Sequence, residues 1–257
     1  MTTRTLVDTD SVQIVANKWL DDVRQYQHNV DTLFKHGTIN AALANIGTGT
    51  HTTLVVTENT AVNADTDLTS YPNIHWLFLG AGQLTPATGV TLTLYSPSTI
   101  TADSTQYILD ATSGTITFAK PGTVYPEWFG ALQDNATSAT VAITKAIAAN
   151  AGTLEFRGNG SKYYVTDEFI VSSLKAIRGV NAPVIRQGGT NKRIFTATTP
   201  TDLTISGLRL QGEGTGASLA DTGLIDINGG TRVRIVDNEV YDGRNGIVAF
   251  SVTDLWI

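Results

Sequence analysis

The sequence predicts a mainly β protein whose C-terminal part is a parallel β-helix, because short strands and their corners recur at a nearly constant step. Apolar residues alternate along segments such as 203–210, so one face of each strand points inward. Val233 and Leu255 begin equivalent segments 22 residues apart, and Gly223 and Gly246 are 23 residues apart. Such a step is typical of stacked repeats, although a β-sandwich with similar strand spacing is the alternative.

The corners of the repeat carry residues that suit tight turns. Gly207 and Gly243 accept a positive φ, and Asp237, Asn238 and Asp242 can bond their own backbone. Stacked coils would share one core of inward Leu, Ile and Val side chains.

Composition excludes several classes of protein. The 257-residue chain contains 16% charged residues and has a net charge of −6 without a basic cluster, so we expect no nucleic-acid partner. It contains no cysteine, and its four histidines lack metal-site spacing, so we expect neither disulfides nor a metal or other cofactor. No apolar run is long enough to cross a bilayer, and we expect neither membrane insertion nor a secretion signal.

The first predicted element is a helix that begins at Asp10 or Ser11 and ends at Gly37. Its apolar residues step by four and three, which is a heptad pattern. The pattern comprises Val12, Ala16, Trp19, Val23, Tyr26, Val30 and Leu33. The stripe could pack on its own domain, but a short coiled coil that forms a homotrimer or docks on a larger particle is favoured.

A strand-rich module follows, with uneven spacing between its strands. The predicted strands are 54–56, 74–78, 90–94 and 115–118, separated by glycine-containing turns. This module could be an irregular start of the solenoid or a compact β domain.

The next segment joins this module to the repeat. Pro126 holds the chain extended, and Trp128 and Phe129 form a large apolar pair beside Gly130. A helix is predicted over 139–150, and its Ile147 lies on the apolar face. We expect Trp128, Phe129 and Ile147 to cap the first coil of the repeat.

The same segment resembles a known family. The residues are Tyr125-Pro-Glu-Trp-Phe-Gly-Ala131, then an alanine-rich helix, Gly152-Thr-Leu-Glu-Phe156, Tyr164-Val165 and Ile177-Arg-Gly179. They resemble the start of the pectate-lyase-like, right-handed parallel β-helix of bacteriophage tailspikes, from about residue 50 onward. Many relatives carry a Gly-Asp-Gly, Asp-rich loop after the aromatic pair, whereas this chain has residues 132–138, Leu-Gln-Asp-Asn-Ala-Thr-Ser.

The resemblance implies a trimeric spike of the phage tail, assembled in the host cytoplasm, which binds and in many relatives cleaves host surface polysaccharide. Residues 1–49 would be the helical trimerisation and attachment segment that docks on tail or baseplate proteins. Residues 50–123 would be the β module, and residues 124–257 the capped start of the β-helix, which we expect to continue in a longer protein. The alternative is a free-standing polysaccharide lyase or glycoside hydrolase of the same superfamily.

Candidate site residues follow from this function. Glycoside hydrolysis uses two carboxylates, for which the candidates are Glu239, Asp242 and Asp226, although acids at corners commonly serve turns. Sugar binding uses exposed aromatic rings, for which the candidates are Tyr241, Trp256 and Tyr163, with packing in the core or between subunits as the alternative. No catalytic residue carries over from the family, and we expect the active site of any depolymerase to lie outside this segment.

Overall fold

The computed structural model describes residues 29–213, 223–243 and 245–257. In these residues the protein is mainly β, and the pairings between its strands are parallel. The prediction of a mainly β chain with parallel strands is therefore confirmed. Val12, Ala16, Trp19, Val23 and Tyr26 of the predicted helix lie outside the described residues.

The N-terminal part, residues 29–118, forms three sheets. Its strands are β1 (Asn29–Thr32), β2 (Thr52–Val56), β3 (Asn59–Val62), β4 (Thr66–Asp67), β5 (Ile74–Phe78), β6 (Gln83–Pro86), β7 (Thr91–Leu94), β8 (Ile100–Thr101) and β9 (Thr115–Phe118). Sheet A has the order β1-β2-β5-β8, sheet B pairs β3 with β6, and sheet C has the order β4-β7-β9. Two short helices, α1 (Leu33–His36) and α2 (Ile39–Ile46), lie between β1 and β2.

The C-terminal part, residues 122–257, forms three further sheets. Its strands are β10 (Gly122–Val124), β11 (Gly152–Arg157), β12 (Lys162–Val165), β13 (Phe169–Ile170), β14 (Ala176–Val180), β15 (Val184–Gln187), β16 (Phe195–Thr198), β17 (Thr204–Ser206), β18 (Arg209–Gln211), β19 (Ile225–Asn228), β20 (Thr231–Val236), β21 (Glu239–Tyr241), β22 (Ile247–Phe250) and β23 (Thr253–Trp256). Sheet D has the order β10-β11-β14-β17-β20-β23, sheet E the order β12-β15-β18-β21, and sheet F the order β13-β16-β19-β22.

From β11 onward, the chain visits sheets D, E and F in turn and then returns to sheet D beside its own earlier strand. Ile177, Ile205 and Ile235 consequently stand in register on three neighbouring strands of sheet D, and each is buried. The alternation predicted from the sequence places them inside, because side chains on a strand point to opposite faces in turn. Burying each such isoleucine stabilises the fold by about 1.5–3 kcal/mol.

The corners adopt positive φ at three of the predicted residues: Gly207 has a φ of 71°, Asp237 one of 56° and Asp242 one of 55°. Gly243, for which a positive φ was also expected, does not adopt one. The backbones of adjacent turns also approach closely: a Cβ on Gly179 would lie 2.2 Å from the carbonyl oxygen of Gly207. Glycine at position 179 therefore permits this spacing of the two strands.

The predicted capping helix is α3 (Thr140–Ala148), and it lies at the junction of the two parts. On one side, the amide of Phe118 in sheet C donates to the carbonyl of Ala149, at 3.0 Å. On the other, the hydroxyl oxygen of Thr140 accepts from the amide of Thr166, at 2.8 Å. Trp128 and Phe129, in a 3-10 helix (Pro126–Phe129), and Ile147 are buried at this junction. The segment before the helix bonds to the first strand of sheet E, where the amide of Ala139 donates to the carbonyl of Tyr164 at 2.8 Å, and the capping role of these residues stays a prediction.

The prediction of one continuous helix up to Gly37 is wrong at residues 29–32, whereas Leu33–His36 is helical and ends at Gly37 as predicted. Asn29–Thr32 forms a strand that pairs with Thr52–Val56, which gives its backbone partners that the heptad pattern could not anticipate. Val30 is exposed on this strand, whereas Leu33 begins α1 and is buried in the core that the sheets share. The described end of the predicted attachment segment is therefore built into the β structure.

Candidate functional site

The outer face of sheet E carries aromatic and polar side chains in aligned rows. Tyr164, Arg186, Gln211 and Tyr241 occupy one register position on its four strands. Their inward neighbours, such as Tyr163, are buried, so these four side chains point away from the core. The adjacent outward row is Lys162, Val184, Arg209 and Glu239. We call these two rows the outer face of sheet E.

Guanidinium groups lie over the tyrosine rings at both ends of this face. The Cζ of Arg186 is 5.6 Å from the centroid of the Tyr164 ring, and its Nη1 donates to Asn135 Oδ1 at 3.3 Å. The Cζ of Arg209 lies 5.6 Å from the Tyr241 ring. These contacts place both rings in defined orientations, because a cation is attracted to the face of an aromatic ring.

Glu239 holds Arg209 in place over its ring. Arg209 donates to the two carboxylate oxygens of Glu239, from Nε at 2.6 Å and from Nη2 at 3.2 Å. These bonds lower the pKa of Glu239 and raise that of Arg209. Partial burial raises the pKa of Tyr241, so its hydroxyl stays protonated and can donate at neutral pH.

A groove of about 400 Å³ runs along this face beside the first of these two rows. Its lining comprises Tyr164, Arg186, Gln187, Gly188, Gln211, Gly212, Glu213 and Asp242. Gln211 connects β12 with the turn after β21, since it accepts from Lys162 Nζ at 2.8 Å and donates to Asp242 Oδ2 at 2.9 Å. A Cβ at Gly188 would lie 2.1 Å from the Tyr164 ring, so glycine lets that ring lie against the backbone.

This arrangement has the features of a carbohydrate-binding surface. Tyrosine rings can pack against the apolar faces of sugar rings, and guanidinium, amide and carboxylate groups can bond to hydroxyls. Cleavage makes a further demand, because the general acid of a glycosidase needs a raised pKa. The pKa of Glu239 is shifted in the opposite direction, so this residue suits a role in orienting Arg209 better than proton donation.

The structure brings two of the three catalytic candidates together. Glu239 belongs to the outer face of sheet E, and Asp242 lines its groove. Asp226 lies on sheet F, where Arg193 Nε donates to it at 3.0 Å, while Arg193 Nη1 donates to Glu168. Asp226 therefore belongs to a separate ion-pair cluster.

The three aromatic candidates for sugar binding lie in different places and differ in exposure. Tyr241 lies on the outer face of sheet E, whereas Trp256 is 62% exposed on sheet D, with Arg234 Cζ 5.7 Å from its ring. Tyr163 is fully buried, so its assignment as a surface residue is corrected. Tyr164 was not among the predicted residues, yet the alternation along the strand indicates that one of the adjacent residues Tyr163 and Tyr164 must face outward.

Comparisons with family models, curated proteins and solved structures find no match to this chain. Within residues 29–213, 223–243 and 245–257, no helix is long and apolar enough to cross a membrane. The same described ranges contain no group of three or more His, Asp or Glu side chains that could hold a metal ion.

Proposed function

We propose that the protein is a tailspike or tail fibre of a bacteriophage, built on a right-handed parallel β-helix, and that it binds host surface polysaccharide along the outer face of sheet E. Two features support the fold: the motif from Tyr125 to Ala131 resembles that family, and the chain visits three parallel sheets in turn. Stacked coils with outward polar rows are typical of such solenoids.

The observation that carries the binding function is the aligned register of Tyr164, Arg186, Gln211 and Tyr241. Neighbouring strands are about 4.8 Å apart, so three strand spacings separate the two tyrosines by roughly 14 Å. A ligand that contacts both rings must be extended across several strands. A polysaccharide meets this requirement, and a monosaccharide does not.

The remaining parts of the proposal concern assembly. The protein would be a homotrimer in the virion, fastened to tail or baseplate proteins through residues 1–28. The support is the heptad spacing of Val12, Ala16, Trp19, Val23 and Tyr26 in the sequence. Residues 29–49 are excluded from a continuous attachment helix, because they contain β1 and two short helices.

Binding is better supported than cleavage by the described residues. Glu239 is engaged with Arg209, and Asp242 accepts from Gln211, so both carboxylates have roles in ordering the face. The release of oligosaccharides after incubation with the protein would add a depolymerase activity to this binding function.

The experiment measures binding of the full chain to a panel of purified bacterial capsular and O-antigen polysaccharides. Tyr164→Ala and Arg186→Ala are expected to weaken the affinity for the recognised polysaccharide at least about ten-fold, since each removes a ring or cation from the face. The matched control is Arg234→Ala, which removes an equivalent cation from the Trp256 ring on sheet D and should leave binding unchanged.

Two results would contradict the proposal. One is the absence of binding to every polysaccharide of the panel, when the panel includes the surface polysaccharide of the bacterium that is host to a phage encoding this chain. The other is a loss of affinity in Arg234→Ala with none in Arg186→Ala, which would move the binding face to sheet D.

A further inference from the structure

The loop that precedes α3, residues 132–138, runs beside the first strand of sheet E. The amide of Asn135 donates to the carbonyl of Lys162 at 2.9 Å, and Ser138 forms a parallel bridge with Tyr164. The loop therefore adds one more backbone segment to sheet E, on the side of β12 that faces away from β15. It is also the segment at which the sequence departs from the pattern of the family that it resembles.

The bridge extends an outward row of the sheet by one position. It places Ser138 in register with the row of Tyr164, Arg186, Gln211 and Tyr241. Ser138 is exposed, and residues in register on neighbouring strands point to the same face. The outer face of sheet E thus continues onto the loop, about 5 Å beyond the Tyr164 strand.

Asn135 of this loop reaches the guanidinium group that covers the Tyr164 ring. Arg186 lies on the second strand of the sheet, so its side chain crosses β12 to donate from Nη1 to Asn135 Oδ1, at 3.3 Å. On the way, its Cζ lies 5.6 Å from the centroid of the Tyr164 ring. The ring and the loop together fix one conformation of a long side chain, which lowers the entropy cost of binding a ligand.

The second arginine–tyrosine pair of the face is held by a charge instead. Arg209, over the Tyr241 ring, donates twice to the carboxylate of Glu239. Arg186, by contrast, donates to a neutral amide oxygen and forms no ion pair within residues 29–213, 223–243 and 245–257. A guanidinium group has five N–H donors, so the remaining donors of Arg186 are available to the oxygen atoms of a sugar.

The loop has internal bonds that hold Asn135 in place. The carboxylate of Asp134 accepts from the amides of Ala136 and Thr137, at 2.9 and 2.8 Å, and from the Thr137 hydroxyl at 2.7 Å. Asn135 itself has a φ of 60°, a conformation that asparagine adopts more readily than most residues. The position of its side-chain oxygen is therefore set by the loop before Arg186 bonds to it.

We infer that residues 132–138 form one end of the polysaccharide-binding surface, and that Asn135 is a positioning residue that holds Arg186 over the Tyr164 ring. The inference rests on the proposed function, since it concerns the same surface. Asn135 acts through Arg186, by ordering the guanidinium group before the sugar binds. Ser138 adds an exposed hydroxyl beside the ring, so the loop bounds the sugar unit that packs on Tyr164.

The test uses the full chain and each capsular or O-antigen polysaccharide of the panel that the wild type binds. Asn135→Gly removes the acceptor, and glycine suits the positive φ of this position. The affinity should fall about three- to ten-fold, the loss expected for one neutral hydrogen bond. Asn135→Asp keeps the Oδ1 acceptor and should bind within about two-fold of the wild type.

A matched control and a double variant show how Asn135 acts. Asn150→Gly changes another exposed asparagine with a positive φ, of 55°, at the end of α3, and should leave binding unchanged. In an Arg186→Ala background, the further change Asn135→Gly should have no effect on affinity. This non-additivity is expected because the asparagine contributes only through the arginine.

A second measurement needs no polysaccharide. Nuclear magnetic relaxation of isotope-labelled arginine side chains reports their mobility on the picosecond to nanosecond timescale. The guanidinium group of Arg186 should be more mobile in Asn135→Gly than in the wild type, because it has lost its acceptor. Arg209 should be equally ordered in both proteins, since Glu239 still holds it.

Several results would overturn the inference, and they differ from those that overturn the proposed function. If Arg186→Ala weakens binding and Asn135→Gly does not, the inference is wrong while the proposed function stands. Unchanged mobility of Arg186 in Asn135→Gly would contradict it in the same way. An equal loss from Asn135→Gly in the Arg186→Ala background would show that the asparagine contacts the sugar directly. If the wild type binds no polysaccharide of the panel, the proposed function fails and the inference fails with it.

Discussion

The N-terminal and C-terminal parts share parallel sheets but differ in the chemistry of their outer surfaces. In the N-terminal part, outward side chains bond as hydroxyl and amide pairs, such as Thr93 with Thr117 at 3.1 Å and Thr85 with Asn59 at 2.7 Å. In the C-terminal part, the equivalent positions hold guanidinium groups paired with carboxylates or aromatic rings.

The sequence shows the same division. There is no arginine between Arg24 and Arg157, and eight of the ten arginines of the chain lie from Arg157 onward. Arginine provides fixed charge and planar donors that suit recognition. The inward residues therefore specify these sheets, whereas the outward residues are free to differ and can acquire a binding role.

The largest expected effect is the loss of stability when a buried side chain is truncated, and it tests whether inward residues contribute equally to stability in the two parts. Ile205→Ala and Leu92→Ala each remove a fully buried side chain from the centre of a sheet. Each should lower the free energy of unfolding by about 2–5 kcal/mol, because a cavity remains. Urea unfolding followed by circular dichroism measures this, with the outward neighbours Thr204→Ala and Thr91→Ala as controls. A cost confined to one part would show that the two interiors are not equivalent.

The next effect tests how closely the backbones of successive turns approach in each part. Gly179→Ala places a Cβ 2.2 Å from the oxygen of Gly207, and Gly82→Ala places one 2.0 Å from the oxygen of Val56. Both should destabilise the protein by about 1–3 kcal/mol or more, because backbone must move. Gly49→Ala is the control, since its Cβ would meet nothing within 4 Å. Thermal unfolding of the three variants gives the order of their stabilities. An unchanged melting temperature in Gly179→Ala would argue against a close approach of the backbones of successive turns.

A third prediction concerns Glu127, where the two parts meet. Burial raises the pKa of this carboxyl in the folded protein above its ordinary value of 4.5. Between the two pKa values the folded state binds more protons, so the contribution of Glu127 to stability falls as pH rises through this window. Urea midpoints from pH 4 to 8 should therefore show Glu127→Gln gaining stability relative to the wild type as pH increases.

Asp67, in the N-terminal part, should show the opposite sign. Hydrogen bonds from Thr69 lower the pKa of Asp67. Its contribution is present above the unfolded pKa and is lost as pH falls through the folded value. Asp67→Asn should thus differ from the wild type most at neutral pH and least in acid. Equal trends in the two variants would mean that burial does not govern Glu127.

The smallest effects are expected for the outer surfaces themselves. Asp202→Asn weakens an exposed ion pair with Arg232, whereas Thr85→Val removes a hydroxyl bond to Asn59. Both should leave the melting temperature nearly unchanged, and only the Asp202→Asn difference should disappear at high salt, because screening acts on charges. If the melting temperature of Thr85→Val relative to the wild type changed with salt, this would contradict the assignment of uncharged hydrogen bonds to the outer surface of the N-terminal part.

The strands that carry the candidate face could be predicted from the sequence, but the pairing of those strands could not. Alternation around Leu210 and Ile235 predicted strands with an inward face, since that pattern is local. Neither the register of Tyr164 with Arg186 and Gln211 nor the covering of Tyr163 follows from local patterns, because each depends on which strands become neighbours.

The sequence by itself determined the β character of this chain, the parallel recurrence of its strands and the residues that form its corners. Those properties come from side-chain periodicity and from backbone preferences, which act over a few residues. Only the tertiary structure decided that Asn29–Thr32 is a strand, that α3 lies at a junction, and that Glu127 meets the hydroxyl of Tyr163. These outcomes depend on partners that are distant in the sequence, whose pairing and burial energies exceed local preference.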